Sequence, residues 1–264
     1  MKPITQVIKE FKDTIEILRA SNDPEALNAI SELARDIYNP DVRLTDWVQE
    51  LEAYDSKKTS PNKTEQMRAG NLLEGIALAS LYGIQGVSSL KSYRSSDAQH
   101  DLLVVGNSMF WMSFCDYCHI DRIKRGILVE AKAHRKPVSS LQFSRVCSNI
   151  DHTTLIGLVS LGIIFSLRGA SGFPNRDAGT VTLRDARLRQ AVFYLVTKIP
   201  IIVFNIYDIK QLSMPGSLPD IVERKVRELF EQSGQILSKG ENHCPIEINL
   251  PNHLQEFLPL RNNK

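Results

Sequence analysis

Gly126-Ile127-Leu128-Val129-Glu130-Ala131-Lys132 is the stretch around which we expect the rest of this chain to be organised. Its apolar residues up to Val129 predict a short buried strand. Because side chains alternate between faces along a strand, Glu130 and Lys132 are expected on one face and Ala131 on the other. Two charged groups at the end of a buried strand are costly unless they bind something. The candidate partners are a metal ion, a phosphate, or each other.

A second apolar run lies upstream and also carries a carboxylate. His100-Asp101-Leu102-Leu103-Val104-Val105 predicts a strand that starts near an acidic residue. If the two strands pair antiparallel, the start of one lies beside the end of the other, which places Asp101 next to Glu130 and Lys132. Two carboxylates and a lysine in one notch can hold a hard divalent cation through oxygen ligands and retained waters. The lysine can orient or help deprotonate an attacking water, or neutralise a phosphate.

The order of these motifs resembles the PD-(D/E)xK nuclease superfamily, and its wider context resembles the restriction-endonuclease-like, Mrr-type branch. Asp101 and Glu130-Ala131-Lys132 stand for the core motif, with a spacer of 130 − 101 = 29. Upstream, that branch has a helix with a glutamate in a Gly-x-x-Phe-Glu-like context, which resembles Gly70-Asn71-Leu72-Leu73-Glu74. Downstream, it has a helix and then a strand that resembles Gly162-Ile163-Ile164-Phe165-Ser166. A further helix and a late apolar strand follow, as in Ile199-Pro200-Ile201-Ile202-Val203-Phe204.

This resemblance covers about residues 64–212 and implies a fold, a chemistry and a biological role. The implied fold is α/β, with a central mixed β-sheet flanked by helices. The implied chemistry is that of a Mg²⁺-dependent endonuclease, with Mn²⁺ as an alternative ion and DNA as the expected substrate. Asp101 and Glu130 would bind the metal, Glu74 would assist as an outer ligand, and Lys132 would position or activate the water. The implied role is prokaryotic restriction or anti-phage defence. The sequence departs from the family in having no proline before Asp101, and the Mrr branch often has glutamine where Glu130 stands.

Other interpretations of the same residues stay open. A Glu-x-Lys motif at a strand end is also a common surface ion pair, which contributes little to stability. A nuclease fold without catalysis could bind nucleic acid, or the core could be a scaffold for a protein-interaction module. Asp116 and Asp121 compete with Asp101 as metal ligands, but no apolar strand follows either of them.

Basic residues flank both ends of the Glu130 strand, which suits a phosphodiester backbone. In the predicted helix 138–150, polar side chains are expected to face the same site. The residues expected to contact nucleic acid are Arg135, Lys136, Gln142 and Arg145. Arg168-Gly169-Ala170-Ser171-Gly172 is a glycine-rich loop, but no Gly-Lys-Ser/Thr follows, so it is not a Walker sequence. It is interpreted as a strand-to-helix turn that could lie near a phosphate.

The bulk composition sets weaker limits. The chain has 264 residues, 42% of them hydrophobic and 23% charged, which is typical of a globular protein. A net charge of +2 requires no polyanionic partner, so nucleic acid would have to meet a local basic patch. The first residues do not form a signal peptide and the longest apolar stretch, 153–167, is too short to span a bilayer, so we expect a cytoplasmic protein without membrane contact.

The four cysteines do not suggest a secreted disulfide framework. Cys115 and Cys118 leave two interpretations open. They could bind zinc with further ligands from the set Cys147, His134 and His152, or they could be an unliganded, partly buried thiol pair.

A polar stretch broken by proline, residues 56–63, predicts a linker. Residues 1–58 are expected to form an N-terminal helical segment that packs on the core, on a second copy of the chain, or on another protein. Residues 59–240 are expected to form the nuclease-like domain and 241–264 an irregular tail. Periodicity and capping signals predict helices at 4–19, 24–37, 44–54, 64–82, 138–150, 182–197 and 219–237, and further strands at 162–166 and 199–207.

Overall fold

The computed structural model describes residues 10, 13–15, 17–18, 23–57, 59–94, 100–151, 157–173 and 185–233. One mixed sheet lies at the centre of this described part. Its strands are β1 (Val87–Arg94), β2 (His100–Gly106), β3 (Gly126–Lys132), β4 (Val159–Ser166) and β5 (Ile201–Phe204), in that spatial order. The first three pair antiparallel, and β3, β4 and β5 pair parallel. The predicted α/β fold with a central mixed sheet is therefore confirmed.

Helices flank the sheet, and the structure gives the bounds of eight of them. They are α1 (Pro24–Ile37), α2 (Leu44–Ser56), α3 (Lys63–Tyr82), α4 (Met109–Tyr117), α5 (Ser140–Asp151), α6 (Asp185–Thr197), α7 (Ile206–Gln211) and α8 (Ser217–Gln232). Five of the predicted helices correspond to α1, α2, α3, α5 and α8, with the start of each within two residues of the prediction. α6 ends at the predicted residue. The helix predicted at 4–19 lies mostly outside the described residues, and the tail 241–264 lies wholly outside them.

Capping signals in the sequence fix where α1 and α3 begin. The Asp23 carboxylate accepts a hydrogen bond from the backbone N–H of Glu25, and Pro24 fills the first helical position, where its missing N–H costs nothing. At α3, Asn62 Oδ1 accepts from the backbone N–H of Glu65 at 2.9 Å, and Glu65 Oε2 accepts from that of Asn62 at 3.0 Å. This capping box ends the polar linker at a defined residue, so α3 starts in a fixed place.

Two helices lie where the sequence analysis predicts none. α4 occupies the loop region between β2 and β3, and buries Trp111 and Phe114 completely. α7 begins at Ile206, within the stretch 199–207 that was predicted to be a strand. Its start is a capping box in which Asn205 Oδ1 accepts from the N–H of Asp208, and Asp208 Oδ2 accepts from the N–H of Asn205. Because this reciprocal pair satisfies backbone donors as a helix start, the strand ends at Phe204.

The two faces of the sheet belong to two hydrophobic clusters. One cluster combines Leu128 and Ile164 of the sheet with residues of α5 and α6. The other combines Val129 and Ile163 with residues of α1, α2, α3, α4 and α8. Successive residues of β3 therefore alternate between the clusters, which is the period-two pattern of a strand covered on both sides.

The N-terminal helices are part of the second cluster. The Tyr38 hydroxyl donates to the backbone oxygen of Leu212, and the Gly216 N–H donates to the backbone oxygen of Tyr38 at 3.1 Å. The expected packing of these helices on the core is therefore observed, while their binding to a partner chain stays a prediction. None of the described helices combines the length and the hydropathy needed to cross a bilayer.

Candidate functional site

Glu130 and Lys132 form an ion pair at the carboxyl end of β3. The Lys132 Nζ lies 2.7 Å from Glu130 Oε1. Because β2 and β4 flank this strand, both residues are nearly inaccessible, with 7% of Glu130 and 6% of Lys132 exposed. Charges removed from water to this degree depend on each other or on a ligand for their stabilisation.

A cleft of about 660 Å³ reaches this buried pair. Its walls come from α3, the end of β3, the loop between β3 and α5, and the start of α5. The polar side chains that line it include Glu74, Glu130, Lys132, His134, Lys136 and Gln142. The side of the cleft formed by α3 is unobstructed at Gly70, where an added Cβ would meet no atom within 4 Å.

Glu74 lies beside this cleft on α3. That helix packs on the opposite face of the sheet from α5, yet Glu74 and Ala131 line both the first cleft and a neighbouring cavity of about 350 Å³. The cleft therefore reaches around the end of β3 from one face of the sheet to the other. The structure brings Glu74 and Glu130, two of the three predicted metal ligands, to one opening.

The backbone of Asp101 lies in β2, and its position bears on the third predicted ligand. β2 and β3 pair with Leu102 opposite Val129, and the same register continued by one residue sets Asp101 opposite Glu130. The antiparallel pairing expected from the sequence is thus observed. The side chain of Asp101 lies outside the described residues. Among the side chains that are described, no three from His, Cys, Asp and Glu lie close enough to hold a metal ion.

Arg135 is held by the backbone of the N-terminal region. Its guanidinium donates to the backbone oxygens of Tyr54 and Thr59, and it lies 5.2 Å from the centre of the Tyr54 ring. These contacts fasten the loop after β3 to the end of α2. Arg135 lines the cleft as predicted, but its hydrogen bonds position protein segments.

The other predicted nucleic-acid contacts divide into two groups. Lys136 is exposed on the rim of the cleft. Gln142 lines the cleft while its Oε1 accepts from the N–H of Ser139 at 2.9 Å, which caps α5. Arg145 is exposed on α5 and is not among the residues that line the cleft.

Tyr54 and His134 line the cleft but are not among the predicted nuclease-site residues, although His134 is a candidate zinc ligand in the sequence. Tyr54 comes from the N-terminal segment, 81 residues from Arg135, and no local pattern connects them. His134 is exposed in the cleft two residues after Lys132, and its titratable ring so close to the Glu-x-Lys motif is a signal that could have found it.

Asp116 and Asp121, the alternative metal ligands, lie outside the cleft that contains Glu130. Asp116, 5% exposed in α4, has its Oδ2 3.6 Å from Arg122 Nη1. Asp121 is exposed, and its Oδ1 accepts from the N–H of Ile123 at 2.8 Å. Neither residue lines the cleft with Glu130.

Of the three described cysteines, two lie in the core and Cys147 is partly buried. Cys115 and Cys118 are completely buried, and the Cys118 thiol donates to the backbone oxygen of Pro219 at 3.6 Å. Burial raises the pKa of the Cys147 thiol to about 11, which disfavours the thiolate that zinc requires. The buried positions fit the interpretation as structural thiols.

Chemically, the arrangement offers carboxylate oxygens and an ammonium at the bottom of an open cleft. Oxygen donors suit a hard cation, and a lysine beside them can neutralise or orient an anionic group. No protein-family model matches the chain, and neither the curated proteins nor the solved structures contain a match to it.

Proposed function

We propose that this protein is a metal-dependent nuclease that hydrolyses phosphodiester bonds, with DNA as its expected substrate. The observation that carries the proposal is the buried Glu130–Lys132 pair at the bottom of the cleft. A charged pair kept out of water in a core strand is costly as a structural device. That cost is justified if the same two groups act on a substrate, because electrostatic interactions are stronger in a site of low dielectric constant.

The order of the elements supports this proposal. A helix with Glu74 comes first, followed by β2 with Asp101, β3 with Glu130 and Lys132, the helix α5, and then β4. The restriction-endonuclease-like resemblance implies the same succession. The resemblance supplies the reaction class, and the cleft supplies a place for it.

The cleft offers two of the carboxylates that a hard metal ion would need. Glu130 and Glu74 offer carboxylate oxygens to one cleft, and the β2–β3 register, which ends with Leu102 opposite Val129, would bring Asp101 opposite Glu130 if continued by one residue. A bound Mg²⁺ would supply stabilisation of the charge on the phosphate and on the leaving oxygen. Glu130 keeps the Lys132 ammonium in place at the cleft floor. Lys132 then orients the attacking water or stabilises negative charge on the phosphate.

A second candidate function follows from the pair itself. Because Glu130 and Lys132 neutralise each other, they could serve only to shape a cleft that binds nucleic acid without cutting it. The two candidates differ in turnover, so a cleavage assay separates them.

The test uses purified protein with single-stranded DNA, duplex DNA and RNA, each with Mg²⁺, with Mn²⁺, and with a chelator. We expect cleavage of DNA that needs the divalent ion and stops in the chelator. Glu130→Gln is the matched negative control, and Asp121→Asn is a control that leaves the cleft unchanged. Binding without cleavage under every metal condition would overturn the nuclease and favour the binding module.

A further inference from the structure

A second cleft adjoins the first at the carboxyl ends of β4 and β5. Its volume is about 730 Å³, and it shares Arg135 and Pro137 with the first cleft. The two clefts therefore follow one edge of the sheet, past the ends of the parallel strands β3, β4 and β5. In open α/β sheets this is the edge at which ligands bind.

The lining of the second cleft is basic in balance. Four basic side chains line it, Arg135, Arg168, Arg224 and Lys225, against two acidic ones, Asp208 and Glu228. Asp208 is 4% exposed and is shared by two cations, with Arg224 Nη2 and Lys225 Nζ each 2.9 Å from one of its oxygens. Because Arg224 also pairs with Glu228, the excess of basic over acidic side chains in this lining comes from Arg135 and Arg168.

Two of these arginines are exposed enough to contact a phosphate while keeping their carboxylate partners. The Arg224 side chain is 50% exposed, and its other contact is to the equally exposed Glu228 at 3.2 Å. The Arg168 side chain is 43% exposed and lies 2.9 Å from Asp55. The partner carboxylates of Asp55 and Asp208 are only 13% and 6% exposed, so these ion pairs should persist, and a phosphodiester would bind the remaining N–H donors of each exposed guanidinium.

The glycine-rich loop after β4 holds Arg168 in a fixed relation to the first cleft. Gly169 has φ = 66°, a conformation that favours glycine. The backbone oxygen of Gly169 accepts from the N–H of Val138 at 2.9 Å, and the N–H of Ser171 donates to the oxygen of Val138 at 2.9 Å. Val138 belongs to the loop that carries Arg135. The loop after β4 and the loop after β3 are thus joined.

We propose that this second cleft binds the phosphodiester backbone that flanks the scissile bond, through Arg168 and Arg224, so that one polynucleotide strand lies across both clefts. The proposal rests on the proposed nuclease function, since it takes the first cleft as the place of cleavage. It makes the preferred substrate a polymer long enough to reach both clefts.

The experiment is a length series. Affinity for DNA duplexes of increasing length is measured in a chelator, and cleavage of the same duplexes at saturation is measured with Mg²⁺. The variants are Arg168→Gln and Arg224→Gln. The matched control is Arg68→Gln, which removes the same charge from an exposed arginine that is paired with Glu50 and lines neither cleft.

For the unaltered protein and Arg68→Gln, we expect affinity to rise with length until both clefts are filled. Arg168→Gln and Arg224→Gln should lose most of that rise while keeping the affinity for the shortest duplex. Each should also lower the slope of log affinity against log salt by about one unit, as expected for one lost phosphate contact. Their cleavage rate at saturation should equal that of the unaltered protein.

Equal behaviour of all three variants at every length would overturn the second cleft as a binding site while leaving Mg²⁺-dependent cleavage, and so the proposed function, standing. A loss of affinity that is the same at every length would also overturn it. Absence of binding and cleavage by the unaltered protein would overturn the nuclease function and this proposal together.

Discussion

Two ion pairs in this chain have the same sequence spacing and almost the same distance between their charged atoms, but they differ strongly in burial. Asp41 and Arg43 precede α2 with their charged atoms 2.6 Å apart, and Glu130 and Lys132 end β3 at 2.7 Å. The side chains of the first pair are 22% and 64% exposed, while those of the second are 9% and 6% exposed. Water can solvate each charge of the Asp41–Arg43 pair even when its partner is removed. Glu130 and Lys132 are too buried for water to replace a lost partner in this way.

The comparison shows why contact distance alone does not indicate function. Replacing a buried ion pair with well-packed apolar residues is often neutral or stabilising, so stability does not account for such a pair. Glu130 and Lys132 also open onto a cleft, which Asp41 and Arg43 do not. A buried charge pair in a cleft is a candidate functional site for this physical reason.

The largest expected effect comes from removing the charge of the predicted metal ligands. Glu130→Gln and Asp101→Asn change charge with almost no change in volume, and each should abolish cleavage. Asp41→Asn makes the same chemical change in the exposed pair and should leave cleavage intact. Single-turnover assays with Mg²⁺ measure all three. Near-full activity of Glu130→Gln or Asp101→Asn would show that the metal site is misplaced.

Lys132→Ala should reduce turnover by about 10²–10⁴, because it removes water activation or charge stabilisation in the transition state. Nucleic-acid affinity should fall only mildly, since one phosphate contact is lost. Lys136→Ala, on the rim of the same cleft, should show the opposite balance of weaker binding and nearly normal turnover at saturation. Purely affinity-based losses at both positions would instead support a binding module.

Much of the fold was accessible from the sequence because its signals are local. The Asp23-Pro24 cap and the apolar periodicity that follows it define α1 without reference to the rest of the chain. α4 was missed because Trp111 and Phe114 are buried by tertiary packing, and their run of aromatic residues has no clear period. α7 was missed because the apolar run that ends at Phe204 hid the Asn205–Asp208 capping box.

The residues of the candidate site likewise include some that a local sequence pattern predicts and some that only tertiary packing brings there. The shared face of Glu130 and Lys132 follows from strand alternation, so the sequence predicts it. The contribution of Tyr54 depends on how α2 packs beside the loop after β3, which no local pattern contains. The role of Arg135 was likewise inferred from its charge, whereas its hydrogen bonds go to backbone oxygens of a segment far away in sequence.

The free energy of unfolding gives a third comparison between the Glu130–Lys132 pair and the Asp41–Arg43 pair. Lys132→Ala leaves the buried Glu130 carboxylate without its partner, which should lower the free energy of unfolding by about 3–5 kcal/mol. The double variant Glu130→Gln/Lys132→Met removes both charges and should recover most of that loss, yet it should stay inactive. Urea unfolding measures the stability of each variant. If the double variant were as unstable as Lys132→Ala, the loss would come from packing and not from the unpaired charge.

The smallest effect is expected at Asp41 and Arg43, and it should depend on pH and salt. The hydrogen bond from the Arg43 side chain lowers the pKa of Asp41 from 3.8 to about 2. A carboxyl group whose pKa is lower in the folded state stabilises the fold above its unfolded pKa and loses that contribution as pH falls through the folded one. The difference in stability between the unaltered protein and Asp41→Asn should therefore be constant near neutral pH and disappear as the pH falls from about 4 to about 2.

Added salt should shrink this stability difference at neutral pH, because exposed charges are screened, while the loss of stability caused by Lys132→Ala should be insensitive to salt. Urea titrations at several pH values and two salt concentrations measure both. Equal salt sensitivity at the two sites would mean that Glu130 and Lys132 are as well solvated as Asp41 and Arg43, which would remove the physical basis for treating the buried pair as a site.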